Sequence, residues 1–116
     1  MLSISSREEF IRAIKANDIV IIGYFDLDSE EGKFFNKVFT ELSKYVDSRI
    51  LVLHVDTSNY NELVSDLQHK RCIRVFIGGK LVFEQYDLFG DLDLDIFVLR
   101  RSIRSVLREN NVNYRI

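Results

Sequence analysis

Apolar residues in this chain occur either as unbroken β-branched and aromatic runs or as repeats at helical spacing, and the two kinds alternate. Leu2 to Ile4 predicts a short strand. Ser6 with Glu9 makes a capping box for a helix through Ala16, whose apolar face is Phe10, Ile11 and Ile14. Ile19 to Phe25 is a continuous apolar run, the pattern of a central strand covered on both sides. After the polar stretch Asp26 to Glu31, the residues Phe34, Phe35, Val38, Phe39, Leu42, Tyr45 and Val46 repeat at helical spacing and predict a long amphipathic helix. Ile50 to Val55 reads as a second buried strand, and the helix between the two strands predicts a right-handed parallel βαβ unit. Tyr60 to Leu67 predicts a short helix. Ile73 to Ile77 and Leu81 to Tyr86 flank Gly78-Gly79, the signature of a tight hairpin whose turn needs positive φ. Ile96, Leu99, Ile103, Val106 and Leu107 line one face of a last helix, with Arg100, Arg101, Arg104 and Arg108 away from it. The expected order is β-α-β-α-β-α-β-β-α.

With 116 residues, 47% of them hydrophobic, the chain has the size and apolar content of one domain, residues 1–116. No linker, repeat or low-complexity segment interrupts it. A net charge of -2 gives no overall attraction to phosphate or anionic lipid, which makes nucleic acid a minor expectation and leaves room only for a local basic patch. Cys72 is the only cysteine, so no intrachain disulfide can form. The start Met1-Leu2-Ser3-Ile4 lacks the basic and long apolar regions of a secretory signal, and no apolar run approaches the roughly 20 residues that span a bilayer. A reducing, cytoplasmic setting without membrane attachment is the expectation.

The segment Arg74-Val75-Phe76-Ile77-Gly78-Gly79-Lys80, followed by Tyr86-Asp87-Leu88, resembles the back half of a glutaredoxin, and Arg74 to Lys80 matches the glutaredoxin hairpin without a gap. Ile19 to Phe39 is similar to the non-catalytic thioredoxin-like domains of protein disulfide isomerases and of calsequestrin, which share its Ile-Gly-Tyr/Phe-Phe strand end and acidic loop. The resemblance therefore implies the thioredoxin-like superfamily. The fold it implies is α/β, with a central four- or five-stranded mixed sheet and helices on both faces.

The resemblance also implies where chemistry would lie. Ser29-Glu30-Glu31-Gly32 occupies the place of the family's Cys-x-x-Cys, and Lys33 matches the lysine that commonly follows it. Without an attacking thiolate and a resolving thiol, the dithiol cycle has no reactants. Gly23 stands where thioredoxins bury a proton-transferring acid. Ile73 stands at the cis-proline position, or Arg71 does if the longer thioredoxin hairpin is the better guide. The chain has no proline, and a non-proline cis bond costs about 3 kcal/mol, so a trans Cys72-Ile73 peptide is expected. In glutaredoxins a Gly-Gly and a Ser/Thr-Asp pair bind glutathione. Asp87 matches that aspartate, but Phe83-Glu84 replaces the glycines, which obstructs an anionic ligand that needs close backbone approach.

Cys72 lies beside the cis-proline position with Lys70, Arg71 and Arg74 nearby, which could lower its pKa and permit monothiol chemistry with glutathione or a partner thiol. A lone cysteine at a strand start is more commonly a small apolar core residue. Asp91-x-Asp93-x-Asp95 resembles the opening of a calcium loop, but Ile96 and Ser102 stand where it needs glycine and glutamate, so the acids are better read as favouring a helix N-terminus. His54 and His69 have no second ligand at zinc spacing, and Ser29 has no triad pattern. No metal and no cofactor is expected. Arg100, Arg104 and Arg108 form an i, i+4, i+8 stripe, but with no aromatic interleaved in the sequence a solvated helix face is the simpler account. The expectation is a redox-inactive interaction module with a protein or peptide partner and the potential to form a homodimer through a sheet edge or helix face. Its binding surface would comprise Asp28, Ser29, Glu30 and Glu31, with Arg71, Cys72 and Ile73 opposite.

Overall fold

The computed structural model describes residues 2–59 and 61–116. In chain order its elements are β1 (Leu2–Ser3), α1 (Arg7–Ala16), β2 (Ile19–Phe25), α2 (Glu30–Ser43), β3 (Leu51–Asp56), β4 (Cys72–Ile77), β5 (Lys80–Gln85) and α3 (Leu92–Glu109). The strands form one sheet in the order β1-β3-β2-β4-β5, with β2 in the middle as its unbroken apolar run predicts. β1 and β2 both run parallel to β3, whereas β4 runs antiparallel to β2 and to β5.

Every residue of β2 is buried, because helices cover both faces of the sheet. Its side chains alternate: Ile19, Ile21 and Phe25 join the core under α2 and α3, and Val20, Ile22 and Tyr24 join the core under α1. At Gly23 that alternation leaves space for the Phe39 ring, which a β-carbon would approach to 2.8 Å.

Side chains set the helix starts. Ser6 accepts from the Glu9 amide, Ser29 from Gly32 and Asp91 from Leu94, each filling an orphan donor of a first turn. Gly78 (φ 58°) and Gly79 (φ 79°) make the two-residue turn between paired Ile77 and Lys80, a backbone open to glycine at little cost. All peptide bonds among the described residues are trans, Cys72-Ile73 included.

The expected helix over Tyr60–Leu67 is not formed in its described part. Tyr60 lies outside the described residues, and Asn61 to Leu67 makes successive tight turns closed by Val64 N–H to Asn61 O and Leu67 N–H to Val64 O. The Asn61 side chain accepts from the Leu63 amide at 2.8 Å, offering the backbone a turn in place of a helix nucleus. The observed order is therefore β-α-β-α-β-β-β-α. Among the described residues no helix is long and apolar enough to cross a membrane.

Candidate functional site

The loop after β2 begins with Asp26, a residue 4% exposed at the edge of the core. Its carboxylate accepts from the Ser29 amide at 3.1 Å and from the Ser29 hydroxyl, and forms a salt bridge with Arg71 at 2.9 Å. Burial alone would push this acid up. The hydrogen bonds from Ser29 and Arg71, with the Arg71 charge, outweigh it and hold the group at about 2. Asp26 thus joins the loop to the segment that leads into β4.

The same residues close off the loop to thiol geometry. Ser29 spends its hydroxyl on two tasks, donating to Asp26 and accepting from Gly32 N–H at 2.9 Å. Gly32 is buried against Asp26, and an added β-carbon would overlap the Asp26 carbonyl oxygen and stand 2.7 Å from its carboxylate. Where the resemblance places the second family thiol, this backbone admits only a hydrogen.

Of the predicted binding residues, the structure brings Ser29, Glu30, Glu31 and Arg71 to one end of the sheet. Glu30 and Glu31 are exposed on the first turn of α2, and Arg71 faces them partly exposed. Asp28 is exposed on the loop and lies 3.3 Å from the Ser58 hydroxyl. Cys72 and Ile73 are both fully buried, so neither side chain contributes surface, in contrast to the sequence-based expectation. Strand alternation sends Ile73 into the core under α2 and α3 and Cys72 into the core under α1. There burial pushes the Cys72 thiol up to about 11, and the nearby Arg74 charge does not offset it. Arg74 is itself held by Glu84 at 2.7 Å and Asp66 at 3.1 Å, an ion cluster beside Tyr24.

Between the start of α2 and the segment following β5 runs an open groove of about 430 Å³. Phe34 and Phe89 supply its apolar surface, Glu30, Glu31 and Asp87 its acidic residues, and Arg71 its neutralised cation. Phe89 is 66% exposed. The backbone behind it is fixed: the amides of Phe89 and Gly90 donate to the buried Asp95 carboxylate at 2.6 and 3.0 Å. Asp95 and Asp91 are therefore committed to backbone amides, the first to this loop and the second to the cap of α3.

Sequence reasoning passed over Asp26 and Phe89. An acid directly after a fully apolar strand, with a serine three residues on, is the signal that could have marked Asp26. Phe89 carries no comparable pattern, because its exposure follows from the Asp95 hydrogen bonds.

This arrangement of sheet and helices is the thioredoxin fold. No protein-family model and no curated protein matches the chain. Among solved structures, a thioredoxin variant from Halobacterium salinarum superposes with a TM-score of 0.73 at 19% identity, covering 90% of this chain and 88% of that one. A thioredoxin from Plasmodium falciparum gives 0.72 at 19% identity over 90% and 98% of the two chains, and one from Trypanosoma brucei brucei 0.71 at 16% over 93% and 91%. At these identities the likeness is one of fold, and this chain has a single cysteine and no Cys-x-x-Cys.

Proposed function

We propose that the protein is a redox-inactive peptide-binding module that uses the groove between α2 and the segment after β5. The observation that carries this is the packing of Gly32 against Asp26, which leaves the groove open while removing the room for a thiol at its edge. A ligand that fits is a peptide with an aromatic or aliphatic side chain to lie against Phe34 and Phe89, flanked by lysine or arginine to meet Glu30, Glu31 and Asp87. The fixed backbone at Phe89 and Gly90 favours such binding, since less conformational freedom is lost on association. Monothiol chemistry at Cys72 is disfavoured by the burial of its sulfur and its raised pKa.

The test is an amide chemical-shift titration with a short peptide carrying a phenylalanine between lysines. The expected result is saturable shifts at Glu31, Phe34, Phe89 and Gly90, with affinity at least fivefold weaker in Phe89→Ala and in Glu31→Lys. Shifts confined to another face, or formation and turnover of a Cys72–glutathione disulfide on the folded protein, would overturn the proposal.

A further inference from the structure

The sequence shows four arginines on α3 with no aromatic between them, but the fold supplies the aromatics from elsewhere. Arg100, Arg101, Arg104 and Arg108 line a surface hollow together with Phe97, which is 59% exposed at the start of the stripe. Arg100, Arg104 and Arg108 also line a second hollow, with Tyr114 and Arg115. From the segment after α2, Tyr45 places its ring under Arg100, with the guanidinium carbon 3.8 Å from the ring centroid. Tyr45 keeps 40% of its own surface open.

None of these arginines, Arg115 included, is in a salt bridge among the described residues, where the salt bridges use Lys33, Lys44, Arg49, Arg71 and Arg74. From Phe97 to Arg108 the chain carries no acidic residue, although the protein as a whole is acidic by -2. Two of the guanidinium groups are already ordered. Arg100 is stacked on Tyr45, and Arg104 donates to the main-chain oxygen of Ile116 at 2.8 Å. The Nε of Arg100 is buried without a hydrogen-bond partner.

We propose that this face of α3 binds single-stranded nucleic acid, with the arginines on successive phosphates and bases stacked on Phe97 and Tyr45. Phosphate oxygens are the acceptors that guanidinium forks match best. Exposed rings beside a cationic row are what distinguish a single-strand surface from one that meets phosphate alone, because an unpaired base offers its π face and a paired one does not. The patch is on a different part of the surface from the acidic groove, so the two proposals stand or fall separately.

The experiment is fluorescence anisotropy with a labelled oligothymidylate of about 12 nucleotides, within the usual site sizes of single-strand binders, run as a salt titration on the full chain. Four phosphate contacts predict a slope of about -3 in log affinity against log salt. Arg101→Glu with Arg108→Glu is expected to weaken low-salt binding at least tenfold and to flatten the slope by about 1 or more. Both residues are exposed; the charge-neutral pair Arg101→Gln with Arg108→Gln repeats the test if the acidic pair does not fold. Phe97→Ala is expected to weaken the oligonucleotide at least fivefold, and Arg12→Glu, on the exposed side of α1, to change nothing. The proposal is overturned by an absence of binding at low salt, by full binding in the double variants, or by duplex bound as tightly as single strand with no effect of Phe97→Ala. Binding to phosphatidylserine vesicles or an acidic polypeptide but not to the oligonucleotide overturns it as well.

Discussion

Gly32 and Asp26 are packed so closely that no side chain fits between them: a β-carbon on Gly32 would overlap the Asp26 carbonyl and approach its carboxylate to 2.7 Å. Gly32 lies in the first turn of α2, where replacing glycine by alanine ordinarily gains up to about 1 kcal/mol. The contact reverses that sign. Because the obstacle is main chain, relief requires the loop itself to shift, and overpacking of this kind costs about 1–3 kcal/mol.

Gly32→Ala is therefore expected to lower stability by about 1–2 kcal/mol net, measured by urea denaturation. A Ser29→Cys, Gly32→Cys protein should be less stable still and should not reduce disulfides at a thioredoxin-like rate. A stabilised Gly32→Ala protein would show that the loop adapts freely and that the glycine is not what bars a thiol.

The Asp26 carboxyl, held at about 2 by Ser29 and Arg71, makes stability depend on pH. Its pKa is depressed from 3.8, so the unfolded chain takes up the proton first and the stabilisation present above about 4 is lost as pH falls towards 2. The size is up to about 2 kcal/mol. In Arg71→Met the stability at neutral pH should fall by about 1–3 kcal/mol, and the Asp26 titration, followed by carbon NMR of its carboxyl, should move upward. An unmoved titration would mean that Ser29 alone sets it.

Cys72 is expected to be inert to a disulfide reagent in the folded protein and to react at an ordinary rate in urea, because its sulfur is buried and its pKa is raised to about 11. The modification rate under native conditions should track the opening of the fold and respond to stabilising salt. Rapid reaction without unfolding would place the thiol at the surface and revive monothiol chemistry.

What was legible in the sequence was what periodicity and local chemistry encode. The unbroken run Ile19–Phe25 gave the central strand, Gly78-Gly79 the hairpin, and Ser6 with Glu9 the first cap. The stretch around Leu63, Val64 and Leu67 has helix-like spacing, but Asn61 draws its amides into turns. Contacts between distant segments leave no such trace. Asp26 and Arg71 are 45 residues apart, and Tyr45 meets Arg100 only because α2 and α3 share one face of the sheet. The alternation of β4 decided the fate of two predicted site residues: the resemblance placed Cys72 and Ile73 on the binding surface opposite the Ser29 loop, whereas strand geometry puts one in each core.

Gly23 offers a separate test of how this chain departs from the pattern its fold resembles. Where an acid would stand in a thioredoxin, the Phe39 ring occupies the space, with ring atoms 2.8–2.9 Å from any β-carbon added there. Phe39 is fully buried and packs edge-on to Phe25, with centroids 5.8 Å apart, so its ring has little freedom to retreat. Gly23→Ala should thus destabilise by about 1–3 kcal/mol, and Gly23→Asp by more, since it also buries an acid without a partner. Phe39→Leu alone should lower stability by about 1 kcal/mol or more through lost packing. In that background Gly23→Ala should become much less harmful. A double-mutant cycle by urea denaturation measures the coupling, expected at about 1 kcal/mol or more for residues in direct contact. Strict additivity would show that the ring of Phe39 does not set the penalty.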